Sequence, residues 1–231
     1  MVPAFFFFWC AYTLYALYRN LKRSDKPSPI AQALQFILLA LSLLWAAQTG
    51  VFSRLLWSPI DIGAGLLLGH ALFALSLLIT HQHAGDVGRH LLDVRGLGVF
   101  IGKTPEICIR FAGVSAIEEL VYRVTAQGML LRVLGSPPAA VLITAVAFTV
   151  LHGHFFRNGW VCAIEFLLFT LVIGVVYYYT SSLTLVVLAH LTRNLESAYL
   201  EFRLLTVEQK DANEALRVLK QRHATVSMEP I

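Results

Sequence analysis

Two adjacent carboxylates, Glu118 and Glu119, and the guanidinium of Arg123 lie in the otherwise apolar run AGVSAIEELVYRVTAQGMLL. Ionised side chains at membrane depth cost roughly 2.5–3.5 kcal/mol each on insertion scales, so such groups mark functional sites by default. On a helix, Glu119 and Arg123 share a face and can pair. Glu118 points about 100° around the axis and is free for another partner. A buried ion pair that staples a bundle accounts for Glu119 and Arg123 but not for the second carboxylate. Further along, FTVLHGH places Phe148 and His152 one turn apart, with His154 on a different face. In HLTRN, His190 and Asn194 are again one turn apart and can present a ring nitrogen and an amide to one point. Three runs thus supply carboxylates, imidazoles, an amide and a guanidinium to a single polar cavity. Hydrolysis, proton relay and metal ligation all draw on that set. Two histidines and a glutamate would complete a catalytic zinc site, although no His-Glu-x-x-His is present and the ligands would come from three helices.

The elements that must position these groups are membrane helices. Of 231 residues, 57% are hydrophobic and 14% charged, whereas a soluble domain carries about 25% charged residues. Mean hydropathy is +0.68. The expected fold is all-α, a polytopic transmembrane bundle of about seven spans. The charge-poor runs are Met1–Tyr18, Pro27–Ser53, Ile62–Gly85, Glu106–Leu131 and Val133–Phe156. The stretch from Asn158 to Thr192 is divided by the break at Thr180–Ser182. The first run lacks both a preceding basic residue and a small-residue cleavage site, so it reads as a retained anchor. Arg19, Lys22, Arg23, Lys26, Arg89, Arg95, Lys103, Arg157 and the basic residues of the tail fall on one side of this threading, with Arg54 and Arg132 on the other. The positive-inside rule then predicts the amino terminus outside and the carboxyl terminus inside. The net charge of +4 is explained by cytoplasmic edges facing anionic lipid, without nucleic acid.

Smaller features read as structure. Cys10, Cys108 and Cys162 are scattered, with no spacing for a disulfide framework or a thiolate metal site. Gly65 and Gly69 predict close helix packing. The loop His81–Lys103 predicts an amphipathic interfacial segment, and the tail predicts a short surface helix. Glu165 and Arg193 are expected to snorkel toward the cytoplasmic edge. Residues 1–105 are expected to form the amino-terminal helices and a cytoplasmic loop, 106–202 the four-helix core that holds the site, and 203–231 a cytoplasmic tail.

The ordered motifs Glu-Glu-x-x-x-Arg, Phe-x-x-x-His and His-x-x-x-Asn resemble the CAAX-protease and bacteriocin-processing (Abi) family of glutamic intramembrane proteases. The resemblance covers roughly Glu106–Leu200 and includes the glycine-containing span, the Thr-Ser-Ser turn and the final helix. It implies that Glu118 is the general base that activates a water held by His152, and that His190 and Asn194 stabilise the oxyanion. Glu119, Arg123 and Phe148 would support the site. It also implies a metal-independent endopeptidase with no cofactor, acting on a membrane-associated or hydrophobic peptide or protein. The expected location is the bacterial cytoplasmic membrane. Beside this stand a zinc-dependent protease using the same cluster, a non-enzymatic immunity or partner-binding protein of the same fold, and a transporter with a carboxylate relay. The absence of inverted repeats counts against transport.

Overall fold

Prolines open most of the long helices. Pro3, Pro29, Pro105 and Pro137 occupy the first turns of α1 (Val2–Leu21), α2 (Pro29–Gln48), α6 (Pro105–Glu119) and α8 (Pro137–Leu151), and Pro59 begins α3 (Pro59–His81). Proline suits that position because its missing N–H would have no helical partner and its fixed φ is already helical. Gly135, at φ 63°, turns the chain after Leu134 in the left-handed region where a β-carbon is costly. The helix starts therefore fall within a few residues of the starts of the charge-poor runs. Within the fifth expected span, Val133–Phe156, a helix runs from Pro137 to Leu151, and residues 153–156 lie outside the described ones.

The computed structural model describes residues 1–22, 28–52, 58–81, 84–152 and 159–226. His154, Arg23, Lys26, Arg54 and Arg157, used above for motif and topology, lie outside them. The remaining elements are α4 (Ala84–Leu91), α5 (Val94–Lys103), a π-helical stretch (Leu120–Gln127), α7 (Gly128–Leu134), α9 (Gly159–Thr180), α10 (Leu183–Gln209) and α11 (Ala212–Val226). Among the described residues the fold is all-α. Pro29–Gln48, Pro59–Thr80 and Gly159–Thr180 are long and apolar enough to cross a membrane. Large apolar side chains point outward from the bundle: Phe36 is 72% and Leu67 71% exposed. Outward apolar faces with all backbone bonding kept inside helices suit hydrocarbon as the solvent. This is an integral membrane protein.

Packing sets the helices that build the site side by side. α3 lies along α10, α8 along α9, and α2 against both α1 and the π stretch. The contact of α3 with α10 runs over Gly65 and Gly69: a β-carbon at Gly65 would stand 2.7 Å from the Leu185 carbonyl, and one at Gly69 would collide with that of Ala189. The two backbones touch because neither glycine has a side chain. A second apolar cluster, including Phe100, Ile107, Tyr199, Leu205 and Leu219, ties α5, α6 and α10 to the tail helix α11. The expected interfacial loop thus contains two short helices. α10 continues unbroken past Phe202 to Gln209, where Lys210 at φ 55° ends it.

The fourth span differs from the single regular helix expected of it. After Glu119 the chain widens into the π stretch, where the Thr125 hydroxyl reaches the carbonyl of Leu120, five residues back, at 3.0 Å. The indole of Trp45 on α2 donates to the Val124 carbonyl at 3.1 Å. Such wide turns concentrate at functional sites, and this one begins directly after the carboxylate pair.

Candidate active site

Glu118 and Glu119 end α6. Both are buried, and Arg123, one turn later, is 0% exposed. Glu119 uses both oxygens: Oε2 accepts from Arg123 Nε at 3.1 Å, and Oε1 faces His190 Nδ1 at 2.8 Å. The pairing of Glu119 with Arg123 matches the helical spacing. The partner on His190 does not follow from spacing, because α10 is brought to the carboxylate by packing alone.

Glu118 faces two imidazoles. His152 Nε2 stands 3.4 Å from Oε1, and His190 Nε2 stands 3.6 Å from Oε2. His152 caps α8, and its Nδ1 lies 2.9 Å from the Phe148 carbonyl. A carbonyl only accepts, so that Nδ1 carries the proton. An ionised Glu119 likewise places the His190 proton on Nδ1. Each neutral ring then turns a lone pair on Nε2 toward Glu118, so three acceptors converge. The His152 separation is long for a hydrogen bond, that of His190 is longer still, and Glu118 Oε2 has no hydrogen-bond partner among the described residues. Acceptors so arranged require a donor among them: an added proton, or the O–H groups of a water.

Aromatic rings hold this geometry. The Phe148 ring is 4.2 Å from that of His152 and 4.6 Å from that of Tyr122, and it lies 5.3 Å below the Arg123 guanidinium. Phe166 flanks His152 at 4.8 Å, and Phe169 flanks His190 at 5.2 Å. Rings at these separations exclude water from the ion pair and fix both imidazoles. The side chain of His152 keeps 24% of its exposure while that of Glu119 keeps 1%. The site is therefore open at His152 and closed at the Glu119–Arg123 end.

Asn194 sits one turn beyond His190, half-buried, with no side-chain hydrogen bond among the described residues. His190 is positioned differently from the simple His-Asn pair of the sequence reading, since it is wedged between both carboxylates. Glu165 and Arg193 also depart from expectation. They form an ion pair in which Arg193 Nη2 donates to both Glu165 oxygens at 2.8 and 3.0 Å, with the guanidinium 4.4 Å above Phe169. This braces the outer side of the ring that flanks His190. Phe166 and Phe169 escaped the motif reading because an apolar span full of phenylalanines gives no sign of which ones face a site. His70 and the buried Glu196, 2.6 Å apart, form another link between α3 and α10 that no motif announced. Among the described residues no group of three His, Cys, Asp or Glu side chains is arranged to hold a metal ion.

A buried carboxylate and two imidazoles thus meet on apolar helices. Residues 101–195 match the family model described as Type II CAAX prenyl endopeptidase Rce1-like. The segment that carries the candidate site is therefore similar to the CAAX-protease and bacteriocin-processing family. The protein is an intramembrane endopeptidase of the CAAX-protease kind, acting on a peptide or protein in a membrane. No curated protein and no solved structure matches the chain.

Proposed function

We propose that the chain is a glutamic, metal-independent endopeptidase in which Glu118 is the general base. A water between Glu118 and His152 gives its proton to Glu118 as its oxygen bonds to the scissile carbonyl carbon. The carbonyl oxygen, now an anion, accepts from Asn194 Nδ2 and from His190 Nε2. For that second bond His190 carries both ring protons, with Glu119 at 2.8 Å as its counter-ion. Glu118 then passes its proton to the departing amine as the C–N bond breaks. Arg123 holds Glu119 in place, and with an ionised Glu118 and a doubly protonated His190 the four groups sum to zero charge. Buried charges are tolerated only when so balanced.

The observation that carries this reading is the convergence of two Nε2 atoms on Glu118, whose Oε2 has no hydrogen-bond partner among the described residues. With both ring protons on His190, Glu118 and His152 Nε2 remain as two acceptors facing each other, for which a structural ion pair has no use. A water-activating base does, because the incoming water supplies the missing donors. The substrate class is a hydrophobic or membrane-associated peptide, reached from the cytoplasmic side of a bacterial inner membrane, with the amino terminus outside and the carboxyl terminus inside.

The test compares cleavage products of the membrane proteome in cells carrying the intact chain and the Glu118→Ala chain. Peptides that depend on Glu118 are expected, and identical profiles would remove the proposal. Cleavage by the purified chain is expected to survive strong chelation. Loss that zinc restores would instead assign the chemistry to a metal.

A further inference from the structure

A second polar feature, outside the hydrolytic site, lies on α5. Its inward face is closed: Phe100 is 1% exposed, and a side chain at Gly96 would strike the Tyr199 hydroxyl. Its outward face presents Arg95, Val99 and Lys103 at helical spacing, two cations in one row with an apolar residue between them. Beside the row, Gly98 and Gly102 leave the backbone bare, since a β-carbon at either would meet nothing within 4 Å. The row forms one wall of a cavity of about 340 Å³, whose other walls include Tyr199 and Phe202 on α10.

Two cations line this cavity against one acid. Among the described residues Arg95 and Lys103 pair with no acid. The nearby cations are taken: Lys220 binds Glu106 at 2.7 Å, Arg222 binds Glu201 at 3.0 Å, and Arg217 binds Glu214 at 2.8 Å. The acid that lines the cavity, Asp93, is turned away from them. It accepts from the Tyr199 hydroxyl at 2.5 Å and from the Gly96 amide at 3.0 Å. Next to the cations, Leu92, Val94 and Val99 are 84%, 68% and 54% exposed. Apolar side chains this exposed beside free cations fit the plane where headgroups meet acyl chains.

We propose that this cavity is a binding site for the headgroup of an anionic phospholipid. Arg95 and Lys103 hold the phosphate at the cavity wall, and Leu92, Val94 and Val99 enter the acyl boundary. The three exposed apolar residues favour a lipid over a soluble phosphate, because only a lipid brings hydrocarbon with its charge. Tyr199 and Phe202 lie on the helix that carries His190, so an occupied site braces that helix against α5.

The test uses the full chain in nanodiscs of phosphatidylcholine containing phosphatidylglycerol, with retained lipids counted by native mass spectrometry. Preferential retention of phosphatidylglycerol is expected. In the Arg95→Gln, Lys103→Gln double variant that preference should fall by about 30-fold, two interfacial charges having been removed. Arg95→Lys with Lys103→Arg should keep it, and so should Arg217→Gln on the tail helix. An unchanged preference in the glutamine double variant, or an equal fall in Arg217→Gln, overturns the proposal. These readouts are independent of proteolysis.

Discussion

Neutralising the two carboxylates one at a time should damage the protein in opposite ways. In Glu118→Gln the shape is kept, and Glu118 makes no contact shorter than 3.4 Å to either imidazole. Little folding energy depends on it, so stability should stay within about 1 kcal/mol of the parent. The base is gone, however, and the rate should fall by about 10²–10⁴. Glu119→Gln removes the anion to which Arg123 and His190 are bound at 3.1 and 2.8 Å. Arg123 is 0% exposed, and neither Nη1 nor Nη2 has a hydrogen-bond partner among the described residues. Breaking a buried pair from one side costs roughly 3–5 kcal/mol. For a chain of this size that corresponds to a fall in Tm of roughly 6–20 °C. The assay is thermal unfolding of both variants in one nanodisc preparation, alongside cleavage of a membrane-anchored reporter peptide. A Glu118→Gln chain within tenfold of parental activity would refute the general base. Equal loss of Tm in the two variants would refute the division of labour between them.

Three further outcomes are expected. Gly69→Ala should destabilise by about 1–3 kcal/mol, since its β-carbon meets the Ala189 carbonyl, whereas Gly63→Ala meets nothing within 4 Å and should be neutral or slightly stabilising; denaturation in detergent separates the two. Arg193→Met leaves Glu165 buried without its partner and should cost about 3 kcal/mol, much of which the Arg193→Met, Glu165→Met double variant should recover, as a double-mutant cycle will read. Asp93 is held below the usual carboxylate range, first by the Tyr199 hydroxyl and then by the Gly96 amide. Its folded pKa is depressed, so its hold on the start of α5 is fully present above about pH 4 and is lost as pH falls through the lowered value. Hydrogen exchange of the α5 amides should quicken in that acid range in the parent, and at neutral pH already in Asp93→Asn.

Much of the site could be read from local spacing. The pairing of Glu119 with Arg123 follows from one turn of helix. The break before the last long helix is also local: Ser181 adopts φ 51°, and the Ser182 hydroxyl accepts from the Leu185 amide. The glycines at 65 and 69 announced a close helix contact without naming the partner, which proved to be α10. Glu165 and Arg193 were misread because each was weighed alone against water, whereas an ion 28 residues away in the chain was the nearer alternative.

What the sequence alone determined is the class of solvent and the cast of the chemistry. Apolar composition demands helices that bond their own backbones in hydrocarbon, and carboxylates within such helices require partners. Tertiary structure decided who those partners are. His190 stands between Glu118 and Glu119 because α10 packs along α3 and meets the end of α6, and the π turn begins where the carboxylates leave the regular helix. Periodicity records which residues share a face of one helix. It carries no record of which face of another helix will be pressed against it, and the contacts of Glu118 with His152 and His190 depend on that.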